Sequence, residues 1–438
     1  MKKLNKIKIL IILICISTFI IPAKIVYSTN DSVITAPITT SNAALLMDTD
    51  TGIILYNKNA FEKMYPASTT KVMTAILVLE KTNLEDKVTI SHNAIFSVPY
   101  TYSSAYLQEG ETFTVKELLY ALLIPSANDA AFALAEHVGG SVENFSSMMN
   151  EKAKEIGCKN TNFINPNGIF SEDHYSTAYD LALITNYAMK FDTFKKIVQT
   201  DEFTLPQTEL YTGEERKFKN TNYLLQPNIE GITNPYYYEN TTGGKTGYTD
   251  KSGHCIVLTA SKNNINLTCI ILGGFIDENN IRSRETDAIN LFEYGFNNYS
   301  KQTIAKKNET YKTISVPKAS LRTKNLELIL KEDISPLVLN NYSIENSNPN
   351  IVLKEHIEAP IETGEELGTI TYNINGNDYT GKLIAKNKVL PFPYWKIPVY
   401  IIIGLFLLSS INKKKKRRIK KSTKKKIKKA KKNLKRNK

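Results

Sequence analysis

Apolar positions recur along the chain in two rhythms, and the rhythm changes near residue 300. Before that point, "VKELLYALLI" and "DAAFALAEHVG" repeat apolar residues three and four apart, the spacing of one helix face. "HCIVLTAS" and "NLTCIILGG" read as strands, and the "KNNIN" between them as their turn. "VMTAILVL" is apolar on nearly every side, which predicts a helix buried in the middle of a domain. "ETDAINLFEYGFNNY" reads as a closing helix. Beyond residue 300, "YKTISVPKA", "LELILKE", "NIVLKEHI" and "LGTITYNINGNDYTGKLIA" predict short strands separated by Asn, Gly and Pro turns. The chain is longer than one core usually holds, so two domains are expected. The first is an α/β part over residues 37–300 and the second a small all-β module over residues 308–389, with no internal repeat.

The ends follow a different pattern. Lys2, Lys3, Lys6 and Lys8 precede "ILIILICISTFII", and Val26 and Ser28 fit a small-residue cleavage site. Residues 1–28 therefore read as a secretory signal peptide. Near the other end "VYIIIGLFLLSSI" has no polar face, so it should enter lipid and not lie on it. Counted from Trp395 to Ile411 it reaches about 17 residues, the lower edge of a bilayer span. The lysine-rich block at 412–438 then belongs in the cytoplasm by the positive-inside rule, and the main body outside.

Charge refines this picture. The chain as a whole carries +13, but residues 412–438 hold 18 Lys or Arg and no acid. Without that tail and the signal region, 33 basic residues face all 43 acidic ones, a net −10. The body is acidic, which excludes a nucleic-acid-binding surface there. The tail reads as a solvated topology signal that also touches anionic lipid. Cys158, Cys255 and Cys269 form no C-x-x-C and no metal-like spacing with the five histidines. Cys255 and Cys269 flank the predicted turn, where facing each other or being separately buried are both open, burial being the better reading. No cofactor is expected.

Candidate chemistry starts at "PASTTKVMTAILVLEK". Ser68 and Lys71 share a helix face if the helix starts near the serine. A lysine at the rim of a buried helix loses hydration, which lowers its pKa toward that of a base. The alternative is a capping serine with a snorkelling lysine, and Ser-x-x-Lys recurs at 315–318, 410–413 and 422–425. A second segment, "LLIPSANDAAFALAEH", places Ser126 and Asn128 between two helical runs. There a hydroxyl can relay a proton and an amide can hold a substrate backbone. A third, "TTGGKTGYTDKSGHCIVLTA", offers Lys245 and Thr246 to a carboxylate, with Gly247 keeping a strand edge clear of side chains.

The three segments in this order resemble the motif set of penicillin-binding proteins and serine β-lactamases. "ALLMDTDTGIILYNKNAFEKMYPASTTKVMTA", "NTNFINPNGIF", "DHYSTAYDLALI" and "GGKTGYTDKSGHCIV" narrow the likeness to the low-molecular-weight D-alanyl-D-alanine carboxypeptidases, over roughly residues 38–300. The resemblance implies a transpeptidase-like α/β domain, an antiparallel sheet flanked by helices. It implies Ser68 as nucleophile, Lys71 as base and Ser126 as proton relay. Asn128, Lys245, Thr246, Gly247 and Tyr248 bind substrate, with the Ser68 and Tyr248 N–H groups holding the oxyanion. Stem peptides of peptidoglycan ending in D-Ala-D-Ala and β-lactam antibiotics are the implied ligands, without metal or cofactor. His174 sits in the "DHYSTAYD" loop, which the resemblance implies runs beside the active site; Tyr175, Thr177 and Asp180 are expected to shape that loop, and Arg216 and Asn222 receive no role. A D,D-endopeptidase or transpeptidase shares this chemistry, a β-lactamase lacks a use for a β module and an anchor, and a penicillin sensor would not need all four of Ser68, Lys71, Ser126 and Lys245.

Overall fold

The computed structural model describes residues 35–342, 348–374 and 376–434, so the signal-peptide expectation lies outside the described residues. Five strands form the central antiparallel sheet: β1 (Ala43–Asp48), β2 (Ile54–Lys58), β3 (Thr241–Thr249), β4 (Gly253–Lys262) and β5 (Ile265–Gly274), in the order β2-β1-β5-β4-β3. The predicted turn is a two-residue hairpin. Lys262 pairs with Ile265, and Asn263 and Asn264 both take positive φ, which asparagine tolerates best after glycine.

Alternation along these strands fills two cores. Leu45, Met47, Cys255, Val257, Ile270 and Leu272 face one side, where the helix Ala178–Ala188 lies against β1, β4 and β5, and α1 (Lys71–Lys81) and α2 (Asn128–Gly139) belong to the same core. Ala44, Leu46, Ile256, Leu258, Cys269 and Ile271 face the other, against Leu291 and Phe292 of α3 (Ser283–Asn298). Cys255 and Cys269 thus sit on opposite faces of the sheet, and Cys269 stands across from Leu258. Both are free buried thiols. α1 is buried from Lys71 through Val78, as its all-round apolar sequence requires.

The second part is a five-stranded antiparallel sheet of β6 (Thr310–Ser315), β7 (Asn325–Leu330), β8 (Asn350–Leu353), β9 (Glu366–Ile374) and β10 (Asn377–Ala385), in the order β6-β7-β10-β9-β8. It has its own core around Leu326, Leu328, Ile370 and Leu383. Ile53, from the β1–β2 turn, packs against that core, while Leu337 joins the α3 side of the first part. Lys301 and Asp50 form an ion pair at 2.7 Å across this junction. α4 (Lys396–Leu434) then runs 39 residues and is long and apolar enough in its first half to cross a membrane. It continues through the lysine block, where the sequence reading stopped at Ile411, because lysine is a good helix former and Gly404 is the last Gly or Pro in it.

Candidate active site

Ser68 lies in a 3-10 turn, Ala67–Thr70, that runs straight into α1. Ala67 has φ +48°, a conformation that costs a residue with a Cβ free energy and occurs where surrounding structure enforces it. Ser68 caps neither helix start. Lys71 is fully buried, so it does not snorkel. Its Nζ lies 2.9 Å from Ser68 Oγ, 2.8 Å from Asn128 Oδ1 and 2.8 Å from the Asn167 carbonyl. Burial, and then the charge of Lys245, hold its pKa well below the usual lysine value, against a smaller opposing pull from Asp129. Two carbonyl-type oxygens take two N–H bonds. The third direction faces Ser68 Oγ, and in a neutral amine that direction is the lone pair. The geometry therefore suits an amine receiving the Ser68 proton.

Ser126 also has positive φ, +66°, and its Oγ has no hydrogen-bond partner among the described residues. It is not bonded to Lys71. Asn128 opens α2. Its Oδ1 accepts from Lys71 and its Nδ2 donates to the Ser103 carbonyl at 2.9 Å, so the amide orients the lysine and keeps one N–H for other partners. Next to it the Asp129 carboxylate accepts from the N–H groups of Ala105 and Leu107 and from Ser104 Oγ, which fixes the loop forming one wall.

β3 is the edge strand and carries the third segment. Lys245 is buried and donates to the Thr246 carbonyl at 2.9 Å. Burial, followed by the nearby Arg284, lowers its pKa to about 7. Thr246 Oγ1 lies 2.5 Å from Thr221 Oγ1. A Cβ on Gly247 would sit 2.7 Å from the Ser68 nitrogen and 3.0 Å from Ala67 Cβ. Close approach of β3 to the serine turn is thus the main reason for glycine there, ahead of the open strand edge expected from sequence. Tyr248 is exposed and packs at a tilt against His254, ring centroids 4.5 Å apart.

Several residues of the site had no role assigned by a motif in the sequence. Asn167 belongs to the loop that accepts from Lys71. Its neighbour Gly168 has φ +84° and a Cβ there would lie 1.8 Å from the Ala67 carbonyl oxygen. His174 clamps this loop. Its Nδ1 accepts from the Ile164 N–H at 3.3 Å, so the hydrogen resides on Nε2, which is 2.8 Å from Thr70 Oγ1. Burial, then the Lys71 charge, takes its pKa down to about 4. Thr177 caps helix Ala178–Ala188, and Asp180 accepts from Asn160 N–H and Thr161 Oγ1. Tyr175 pairs through its backbone with Asn162 and lies under the Lys63 ammonium, 4.0 Å from its ring centre. Arg216 forms a two-pronged buried ion pair with Glu111, and Asn222 accepts from the Leu224 N–H. Both hold structure. The cleft, about 510 Å³, is lined by Ser68, Ser126, Asn128, Thr221 and Thr246, and Arg282 and Arg284 add positive charge to its wall. A larger groove of about 920 Å³ between the β1–β2 turn and the second sheet contains none of these side chains.

A buried lysine on a serine at the foot of a central helix, facing an edge strand with a second buried lysine, defines a serine acyl-transfer enzyme. Residues 30–275 match the family described as D-alanyl-D-alanine carboxypeptidase, and residues 299–390 match the C-terminal domain of penicillin-binding protein 5. The chain is 35% identical over 341 residues to D-alanyl-D-alanine carboxypeptidase DacF of Bacillus subtilis, covering 77% of this chain and 82% of that one. The structure resembles penicillin-binding protein 5 from Haemophilus influenzae, with a TM-score of 0.65 at 27% identity over 81% of this chain and 99% of the other. It also resembles a peptidoglycan synthesis regulatory factor (PBP3) from Streptococcus pneumoniae, with a TM-score of 0.68 at 26% identity over 81% of this chain and 100% of the other. The chain belongs to the D-alanyl-D-alanine carboxypeptidase family of serine peptidases.

Proposed function

We propose that Ser68 attacks the carbonyl of the penultimate D-alanine of a peptidoglycan pentapeptide while neutral Lys71 takes its proton. The observation that carries this is the dry amine of Lys71, 2.9 Å from Ser68 Oγ. An ester forms between Ser68 and the acyl carbon, and the C–N bond to the terminal D-alanine breaks. The proton reaches that leaving amine through Ser126, whose unpartnered hydroxyl is available for the relay. Water then cleaves the ester, and Ser68 regains its hydrogen. The oxyanion is held by the N–H groups of Ser68 and Tyr248, each such donor typically worth about 3 kcal/mol. Lys245 and Thr246, with Arg284 behind them, engage the terminal carboxylate, and Asn128 and Gly247 shape the cleft. A β-lactam acylates Ser68 by the same attack.

Residues 37–300 serve as the catalytic domain and 308–389 as a second domain. Residues 395–411 span the membrane, with the body outside and 412–438 in the cytoplasm, after removal of the signal peptide at 1–28. Support comes from the apolar first half of α4 and its acid-free lysine block. The test is D-alanine release from a D-Ala-D-Ala peptide by the detergent-solubilised chain beside Ser68→Ala. Release by the first alone supports the reading. Equal release by both removes Ser68 from the chemistry, and cleavage of cross-linked dimers alone turns the assignment to an endopeptidase.

A further inference from the structure

Where the chain leaves the second sheet, its last residues are sewn to a hairpin tip. Residues 316–324 connect β6 to β7, closed by Val316 N–H to the Lys324 carbonyl at 2.8 Å. The Ser320 N–H donates to the Leu390 carbonyl at 2.8 Å, and the Phe392 N–H to the Lys318 carbonyl at 2.7 Å. Ala319 bridges Pro391, and the Leu390 N–H donates to Thr323 Oγ1 at 3.0 Å. From Phe392 only three residues intervene before α4 begins at Lys396, a reach of about 14 Å even if extended.

The tip is built unlike the rest of its sheet. Leu321 is 75% exposed, and Leu390, Tyr394 and Trp395 beside the exit are exposed as well. No acid occurs in residues 310–324 or in residues 379–438, although Glu327, Glu355, Glu358, Glu362 and Glu366 lie elsewhere in the module. Lys318 is paired with Glu358, while Arg322 and Lys324 form no ion pair among the described residues. The apolar part of α4, Ile397–Ile411, is about 22 Å long, short of a hydrocarbon core of about 30 Å. A short span draws its ends toward the lipid, and the linker gives the sheet no room to stand away.

We infer that the 316–324 hairpin tip is a second membrane contact: Leu321 enters the outer headgroup layer, flanked by Arg322 and Lys324 on anionic lipid phosphates. This rests on the reading of α4 as a span. The tip and the helix then fix the sheet at two points, so the module has a set tilt and carries the catalytic cleft at a set angle to the surface. The partner is a lipid surface, because the patch is continuous with the helix that enters lipid and its charge is complementary to anionic headgroups.

The experiment uses the full chain with Cys15→Ser, reconstituted in vesicles of phosphatidylcholine and phosphatidylglycerol. Cys158, Cys255 and Cys269 are buried, so a nitroxide can be placed singly at Leu321→Cys, Val352→Cys or Ile403→Cys. The ratio of oxygen to nickel-chelate accessibility should rise several-fold at 321 on going from detergent to vesicles, stay low at 352, and be highest at 403. Replacing Arg322 and Lys324 together with Glu should lower the ratio at 321 and leave 403 unchanged. A ratio at 321 equal to that at 352, with 403 still in lipid, overturns the inference and leaves the span intact. A low ratio at 403 overturns the span, and the hairpin contact with it. Spin–spin broadening at 321 that depends on protein density would identify a second copy as the occupant and overturn the lipid contact.

Discussion

Lys71 and Lys245 are both buried beside Ser68. Burial, and then the Lys245 charge, hold Lys71 well below the usual lysine value, while burial, and then Arg284, lower Lys245 to about 7. Lys245 must be charged to hold a carboxylate, and it loses that charge as pH rises through about 7. A bound carboxylate favours the charged form and moves the loss upward. The alkaline limb of kcat/KM should therefore lie near pH 7 and that of kcat at higher pH; a kcat/KM that stays level from pH 6.5 to 9 would contradict this. His174 gives a second titration. Its folded pKa of about 4 lies below the ordinary 6.5, so its share of stability is present above pH 6.5 and is lost as pH falls through about 4. That share is on the order of 3 kcal/mol. In urea unfolding at pH 7.5 and 4.5, His174→Gln should lose less stability on acidification than the wild type. An equal loss would mean that His174 is hydrated in solution.

At the level of elements, two glycines set how closely the serine turn is enclosed. Gly247→Ala should push β3 off Ser68, lowering the rate of penicillin acylation roughly a hundredfold while the chain stays folded, since only the oxyanion geometry opens. Gly168→Ala meets the Ala67 carbonyl and adopts an unfavourable φ, so it should cost about 2–4 kcal/mol in thermal or urea unfolding. An unchanged acylation rate in the first variant would detach β3 from the oxyanion site. Comparison of sequence and structure follows the same division. Helices and strands with strong periodicity were legible, as were the Asn263–Asn264 turn and the three motif segments, because each is encoded within about ten residues. Asn167, Thr221 and the contact of His174 with Thr70 were not, because they depend on loops from distant parts of the chain meeting the turn at Ser68. The positive φ of Ala67 and Ser126 was hidden for another reason: neither residue type announces it, and only the assembled cleft enforces it. Asn128 was found, but its bond to Lys71 was not.

At the scale of the whole molecule the question is what makes the two sheets move together. The Lys301–Asp50 pair is partly exposed on both sides, and such pairs contribute about 0–1 kcal/mol. The apolar exchange is stronger: Ile53 of the first part packs on the second core, and Leu337 of the second part packs on the α3 side of the first. These two side chains carry the apolar part of the coupling. Ile53→Asp would set a carboxylate against Ile334 and Tyr379 at the junction and should cost about 2 kcal/mol of coupling. Calorimetry of the variant should resolve the second sheet as a separate, earlier transition where the wild type unfolds more nearly as one. Acylation by penicillin should stay within about twofold, because no residue of the cleft touches Ile53 and the lysine–serine geometry is set within the first part. A single transition merely displaced to lower temperature would place the coupling elsewhere in the interface, in the Tyr299–Lys301 and Leu337–Leu339 strand pair. A large loss of acylation would mean instead that the second sheet supports the cleft, which would give a membrane-set tilt of that sheet a direct route to the chemistry at Ser68.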